Sequence, residues 1–302
     1  MFSLSTSWNS SKHTSGRDLV NEIRGLEFDT IELSFALTEE IVEDILVLKN
    51  NFAIKVSSLH NICPLPKEIE PDEASPDYYS LASPDVDERC LAVDLTKNTI
   101  DYAKKFAAKA VVLHTGRVQV KDRMRGLAGL VGDERAFNRL KSEMIKERDE
   151  KKRGYLDNVM RSLNELVPYA KKMEVALAIE NRFYYREIPL IEEFEEIFRN
   201  FKIGDLFYWH DAGHAQVFEN LGLARHKDFL EHFRNRLLGM HLHDIIYPLT
   251  DHRPPGGGEL NFEILKPYIT RDLIKVLEIH QPASPEEVRR GREYLETVFS
   301  QV

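Results

Sequence analysis

The sequence predicts an α/β fold in which eight parallel strands close into a (β/α)8 TIM barrel. Three observations carry that expectation. Short apolar runs alternate with segments of helical spacing, eight such runs can be counted, and six of them stop on a side chain able to bind a metal or move a proton. Strands alternating with helices imply parallel crossovers, and chemistry delivered at strand carboxyl ends is the arrangement of a (β/α)8 barrel.

In chain order the runs fall near 2–7, 28–34, 53–60, 110–115, 175–180, 205–211, 237–243 and 273–279. AIKVSSLH ends at His60, AVVLHTG holds His114, VALAIEN reaches Glu180, LFYWHDAGH carries Asp211 and His214, LLGMHLHD carries His241 and His243, and LIKVLEIH carries Glu278. Between them lie apolar residues at helical spacing: Leu19, Ile23 and Leu26; Ile41, Ile45 and Leu48; Ile100, Ala103 and Ala107; Leu163, Leu166, Val167 and Ala170. Gly25, Pro189, Gly204, Gly239, Pro267 and Pro285 punctuate the joins.

The chain of 302 residues suits one barrel, for which about 250 residues are typical. We therefore expect a single domain over 1–302. Two connections exceed the usual length of roughly two to six residues. The first, 61–85, contains Pro64, Pro66, Pro71, Pro76 and Pro84 with acids and tyrosines, and is expected to form an ordered flap over the barrel mouth. The second, 117–153, mixes both charge signs and is expected to be a solvated helical extension, with a substrate lid or subunit contact as the alternative.

A formal net charge of −9 suits a soluble protein, and the acidic balance without a basic stripe speaks against nucleic acid as a partner. Cys63 and Cys90 provide no disulfide framework. Neither a signal segment nor an apolar run of the roughly 20 residues a membrane helix needs is evident. Together these predict a cytoplasmic protein with no membrane partner.

Glu180, Asp211, His241 and Glu278 are four donors at the ends of the fifth to eighth strands, and a barrel brings such neighbours close enough to share a cation. Hard oxygen donors favour Mg or Mn while imidazole favours Zn, so Mn, Mg, Co or Zn would suit the set. Isolated charges at buried strand ends would otherwise be costly. His60, His114, His214 and His252 could extend the site to further metals. His243 lies two residues from His241 and His280 two from Glu278, so spacing does not choose within either pair. His210 should point away from Asp211 and lie behind the barrel wall.

DHRPPGGGELNF follows the seventh strand. Its glycines permit close approach to a ligand or a tight turn, and the proline pair is expected to hold His252 and Arg253 over the mouth. Arg117, Arg182 and Arg253 could meet a substrate phosphate or carboxylate. Trp8, just past the first strand, could form an apolar wall against a sugar face or lie in the core.

From the strand at Ile31 to Glu278, the combination of IEN at Glu180, HDAGHA at Asp211 and His214, HLHD at His241, DHRPPGGGELNF and LEI at Glu278 resembles the xylose isomerase-like TIM barrels. Those include sugar phosphate isomerases and epimerases and endonuclease IV. In the ketose epimerase branch a Glu, Asp, His, Glu quartet holds one divalent metal. The resemblance thus implies Glu180, Asp211, His241 and Glu278 as ligands, Glu180 and Glu278 as the acid/base pair, and His214 on a substrate oxygen. The implied reaction is isomerisation or epimerisation of a small sugar or sugar phosphate by proton transfer next to a carbonyl; a dehydratase or lyase would begin the same way. The endonuclease IV branch implies the alternative, a multi-zinc phosphoester hydrolase that also uses His60, His114, His214 and His252. The loop acid departs from that branch, since Asp251 directly precedes His252. Association into a homo-oligomer through outer helices and long loops is a further implication of the resemblance.

Overall fold

A computed structural model describes residues 1–51 and 53–300; the last two positions of the domain expected over 1–302 lie outside them. Eight parallel strands close the barrel: β1 (Ser3–Ser5), β2 (Thr30–Leu33), β3 (Lys55–His60), β4 (Ala110–Leu113), β5 (Ala176–Glu180), β6 (Phe207–Asp211), β7 (Leu237–Leu242) and, after a two-stranded insertion, β10 (Ile274–Leu277). β1 seals the ring by pairing Leu4 with Leu277 on one side and with Ile31 on the other.

Around the barrel run α1 (Gly16–Gly25), α2 (Glu39–Asn50), α3 (Val86–Phe106), α4 (Met124–Ala128), α5 (Glu134–Met173), α6 (Ile191–Asn200), α7 (Ala212–Asn220), α8 (His226–Phe233) and α9 (Pro285–Phe299). Local chemistry sets their ends. Asp85 caps α3 by accepting from the N–H of Asp87 and Glu88, and Ala107 ends it in the left-handed region. In α9 a capping box joins Ser284 and Glu287 ahead of Pro285 at the first turn.

The period of two along each strand decides what faces the axis. Ala110, Val112, Ala178, Trp209, Ile274 and Val276 form an apolar cluster of their own, while their strand neighbours, such as Val111, Ile179, Tyr208 and Leu277, belong to the main core. Two residues further on, the axial positions become His114 after Val112, Glu180 after Ala178, Asp211 after Trp209 and Glu278 after Val276. Gly239 precedes His241 in the same way, and the Trp209 ring takes its space: a Cβ on Gly239 would lie 2.3 Å from Trp209 Cζ3.

Two long segments take a more definite form than spacing gives. The segment after β7 contains an antiparallel hairpin, β8 (Asp244–Ile246) with β9 (Thr250–Arg253). Its glycines take the turn alternative, around a carboxylate: Asp244 accepts from the N–H of Gly256, Gly258 and Leu260, each at 2.9 Å. The stretch 117–153 divides, because α4 sits by the mouth while the rest begins the 40-residue α5. That half is not wholly solvated. Arg148 is fully buried, bonded to Glu193 and to the carbonyl of Glu187.

Candidate metal centre

His114, Glu180 and Glu278, from three of the axial positions, line a cavity of about 360 Å³ at the carboxyl end of the barrel. One donor atom from each of Glu180, Asp211, His241 and Glu278 lies within 4.8 Å of the others, and all four residues are buried. His241 is at the centre. Its Nδ1 contacts Glu180 Oε1, lies 3.1 Å from Glu278 Oε2 and 3.8 Å from Asp211 Oδ2, while its Nε2 is 3.0 Å from Glu32 Oε1. Glu32, buried on β2, also accepts from Ser58 Oγ at 2.7 Å. The β2 run carried no expected site residue, and Glu32 reads there as one polar residue in an alternating strand.

Four buried carboxylates around one imidazole make a donor set short of positive charge. Burial alone would raise the Glu180 carboxyl, but the charge of His241 and hydrogen bonds from His114, His241 and His60 hold it well below the usual range. Burial pushes Glu278 up to about 7, aided by the charge of Glu180 and opposed by His241. His241 is held well above its ordinary value; burial opposes this, and Glu278, Glu32 and Glu180 outweigh it. Glu32 accepting Nε2–H leaves Nδ1 to face the other carboxylates, the orientation a carboxylate gives a metal-bound histidine. The residues present therefore fit a divalent cation.

Two further groups adjoin the quartet. His60 and His114 approach Glu180 Oε2 at 3.6 and 2.6 Å, and the three form a compact donor group. His60 Nδ1 donates to the Asn61 carbonyl at 3.1 Å, leaving Nε2 towards the cavity. His214, in the first turn of α7, donates from Nδ1 to the Asn181 carbonyl, and His252 from Nδ1 to that of Glu278, each at 3.1 Å. Their Nε2 atoms stand 3.8 and 3.5 Å from Asp251 Oδ2. Neighbours in a regular strand point to opposite faces, yet Asp251 and His252 converge because His252 has φ 52°, in the left-handed region.

His243, left open by spacing, supports Asp211. It accepts the His252 N–H on Nδ1 at 2.9 Å, so its Nε2 carries the proton shared with Asp211 Oδ1 and Oδ2 at 2.9 and 3.0 Å. Asp211 also caps α7 by accepting from His214 N–H at 2.7 Å. Burial would raise its carboxyl, but His214 and His243 bring it below the usual range. His280 stacks on His252 at 3.7 Å. Burial, with His243 and His214 nearby, lowers it to about 3.

Two expected substrate contacts are corrected. Trp8 is fully buried, its Nε1 bonded to the Ala283 carbonyl, and lies outside the cavity. Phe35, Phe183 and Tyr184 form the aromatic wall instead. Arg253 turns away with the hairpin to face Glu287 and Arg290. Arg182 reaches the cavity, but Asp77 and Glu187 already hold its guanidinium at 2.7 and 2.9 Å. Asp77 belongs to the 61–85 flap, where sequence offers it as one acid among many. Arg117 and Arg125 line the cavity with no ion pair among the described residues, so they are the cations available to an anion.

Behind the wall, His210 bonds Tyr208 Oη at 2.8 Å and His226 Nε2 at 2.9 Å. Tyr208 in turn donates to Asn181 Oδ1, which also accepts the Asp211 N–H. This chain of contacts fixes the backbone at the ends of β5 and β6.

The family model described as xylose isomerase-like TIM barrel matches residues 20–298. Among solved structures, a D-tagatose 3-epimerase-like protein aligns over 100% of this chain and 97% of its own, with TM-score 0.70 and 20% identity. An L-ribulose 3-epimerase aligns over 100% and 94%, with TM-score 0.70 and 14% identity. Likeness at that identity carries the fold. An uncharacterised protein of Methanocaldococcus jannaschii is 24% identical over 192 residues, or 63% of this chain, and the chain spans 62% of the length of that relative. Among the described residues no helix is long and apolar enough to cross a membrane.

Proposed function

Because the chain belongs to the xylose isomerase-like TIM barrel family, we propose that it is a divalent-metal-dependent isomerase or epimerase of a small sugar or sugar phosphate. The observation that carries this reading is the pair Glu180 and Glu278, which reach one small cavity from β5 and β10 and flank His241 Nδ1. A divalent cation held by Glu180, Asp211, His241 and Glu278, whether Mn, Mg, Co or Zn, would supply Lewis acidity to a substrate carbonyl. One glutamate removes the proton from the carbon beside that carbonyl, and the other returns a proton to the resulting enediolate. His214 Nε2 is placed to bond a substrate oxygen, and Arg117 and Arg125 to receive a phosphate.

The structural neighbours, a D-tagatose 3-epimerase-like protein and an L-ribulose 3-epimerase, support the substrate class. The test is incubation with a panel of ketoses and their phosphates in D2O with added metal, read by NMR. Deuterium should enter at the carbon next to the carbonyl, and Glu180→Gln and Glu278→Gln should each lose at least about a hundredfold in rate. Exchange at the parent rate in either variant would overturn the assignment.

A second reading, a multi-zinc phosphoester hydrolase, is favoured by the groups outside the quartet: His60 and His114 on Glu180, and His214 and His252 on Asp251. Chelator-sensitive cleavage of an abasic-site duplex by the zinc-loaded protein would promote it. Residues 1–302 are read as one catalytic domain, and the free thiols of Cys63 and Cys90 suit a reducing cytoplasm.

A further inference from the structure

We propose that the amino-terminal mouth of the barrel is a second ligand site, taking a small organic anion with an apolar body. The cavity there is about 580 Å³, within the range of ligand pockets. Its floor is made by Ser3, Thr30, Val56 and Ile274, early residues of β1, β2, β3 and β10, and its apolar sides by Ile54, Phe106 and Leu273.

The charge is one-sided. Lys49, Lys55, Lys109, Arg271 and Lys275 line the cavity against Asp272 alone, in a chain whose net charge is −9. At the other end of the same barrel stand Glu32, Asp77, Glu180, Asp211, Asp251 and Glu278. Those acids share that mouth with Arg117, Arg125 and Arg182, whereas the amino-terminal cavity is nearly all cationic, and clustered charge in a concave wall concentrates an oppositely charged ligand.

Partners account for only some of these cations. Lys55 pairs with Asp29 at 3.3 Å, and Lys49 donates to the Lys105 carbonyl at 3.3 Å. Lys109 and Arg271 have no ion pair among the described residues, and both are exposed. Lys275 is 8% exposed and, among the described residues, donates only to the carbonyls of Thr270 and Leu273, at 3.2 and 3.0 Å. A buried ammonium with no bonded carboxylate is costly; burial lowers its proton affinity, against the pull of Asp272. An anion in the cavity would supply the missing countercharge, and the apolar sides would cover a hydrocarbon or aromatic body.

Calorimetric titration with phenyl phosphate, and separately with inorganic phosphate, tests the site. Phenyl phosphate should bind saturably and more tightly than inorganic phosphate. The double variant Lys109→Glu/Arg271→Glu should weaken it at least about tenfold, with thermal unfolding unchanged because both side chains are exposed. Arg125→Ala, which alters the opposite mouth, should leave the affinity within about twofold, since sites so far apart act independently. The proposal is overturned by absent binding in the millimolar range, by equal affinity in the double variant, or by loss of binding in Arg125→Ala. Equal affinity for the two phosphates would overturn the apolar part of the claim.

Discussion

Glu32 lies 3.0 Å from Nε2 of His241, and by taking that N–H it turns the opposite nitrogen of the ring towards Glu180, Asp211 and Glu278. The contact joins β2 to β7 across the barrel axis. It therefore sets the ring orientation on which the whole quartet depends. Replacing such a supporting carboxylate costs roughly 10- to 100-fold in metal affinity. Glu32→Gln should show a loss of that size in a competition titration against a chelating dye; unchanged affinity would remove Glu32 from the account.

Gly213 bears on the same centre from another side. A Cβ there would lie 2.0 Å from His243 Cε1, so Gly213→Ala must displace the ring that holds Asp211. Overpacking of this kind costs about 1–3 kcal/mol. Urea unfolding should show that loss, and metal affinity should fall with it.

Arg125, carried to the mouth on α4, is expected to act on phosphorylated substrates only. Arg125→Ala should raise KM for a sugar phosphate about tenfold, leave kcat within about twofold, and spare the unphosphorylated sugar. An equal effect on both sugars would mean that Arg125 shapes the loop and does not bind phosphate.

His226 gives a pH dependence of stability. Burial lowers it from 6.5 to about 3, so the folded protein keeps it neutral while the unfolded chain protonates it below 6.5. Its contribution is complete above pH 6.5 and is lost as pH falls from there towards 3, at no more than about 1.4 kcal/mol per pH unit. The groups facing it are His210 Nε2 and Gln216 Oε1, with Glu219 on its backbone N–H. Urea midpoints measured between pH 7 and 5 should fall less steeply for His226→Gln than for the parent protein. Identical slopes would contradict the assignment.

The barrel is legible in the sequence because each buried strand is a short apolar run and each donor follows its last axial residue. Val112 before His114 and Ala178 before Glu180 show the rule. Glu32 escaped it, since a single acid in TIELS looks like the polar half of an alternating strand; its burial follows only once β7 lies opposite. Trp8 takes the core alternative for a related reason. β1 is three residues long and continues into a 3-10 turn, so its alternation ends before the tryptophan. Asp251 directly precedes His252, a departure from the endonuclease IV pattern, and the left-handed backbone at His252 still brings the two side chains within 3.5 Å.

A divalent metal held by Glu180, Asp211, His241 and Glu278 would be read without intermediary by elemental analysis. Protein purified without chelator or an affinity-tag metal should carry at least one Mn, Mg, Co or Zn per chain, and Asp211→Ala should lose it. Protein that holds no divalent metal as purified, and takes up none of the four when they are added, would contradict the account.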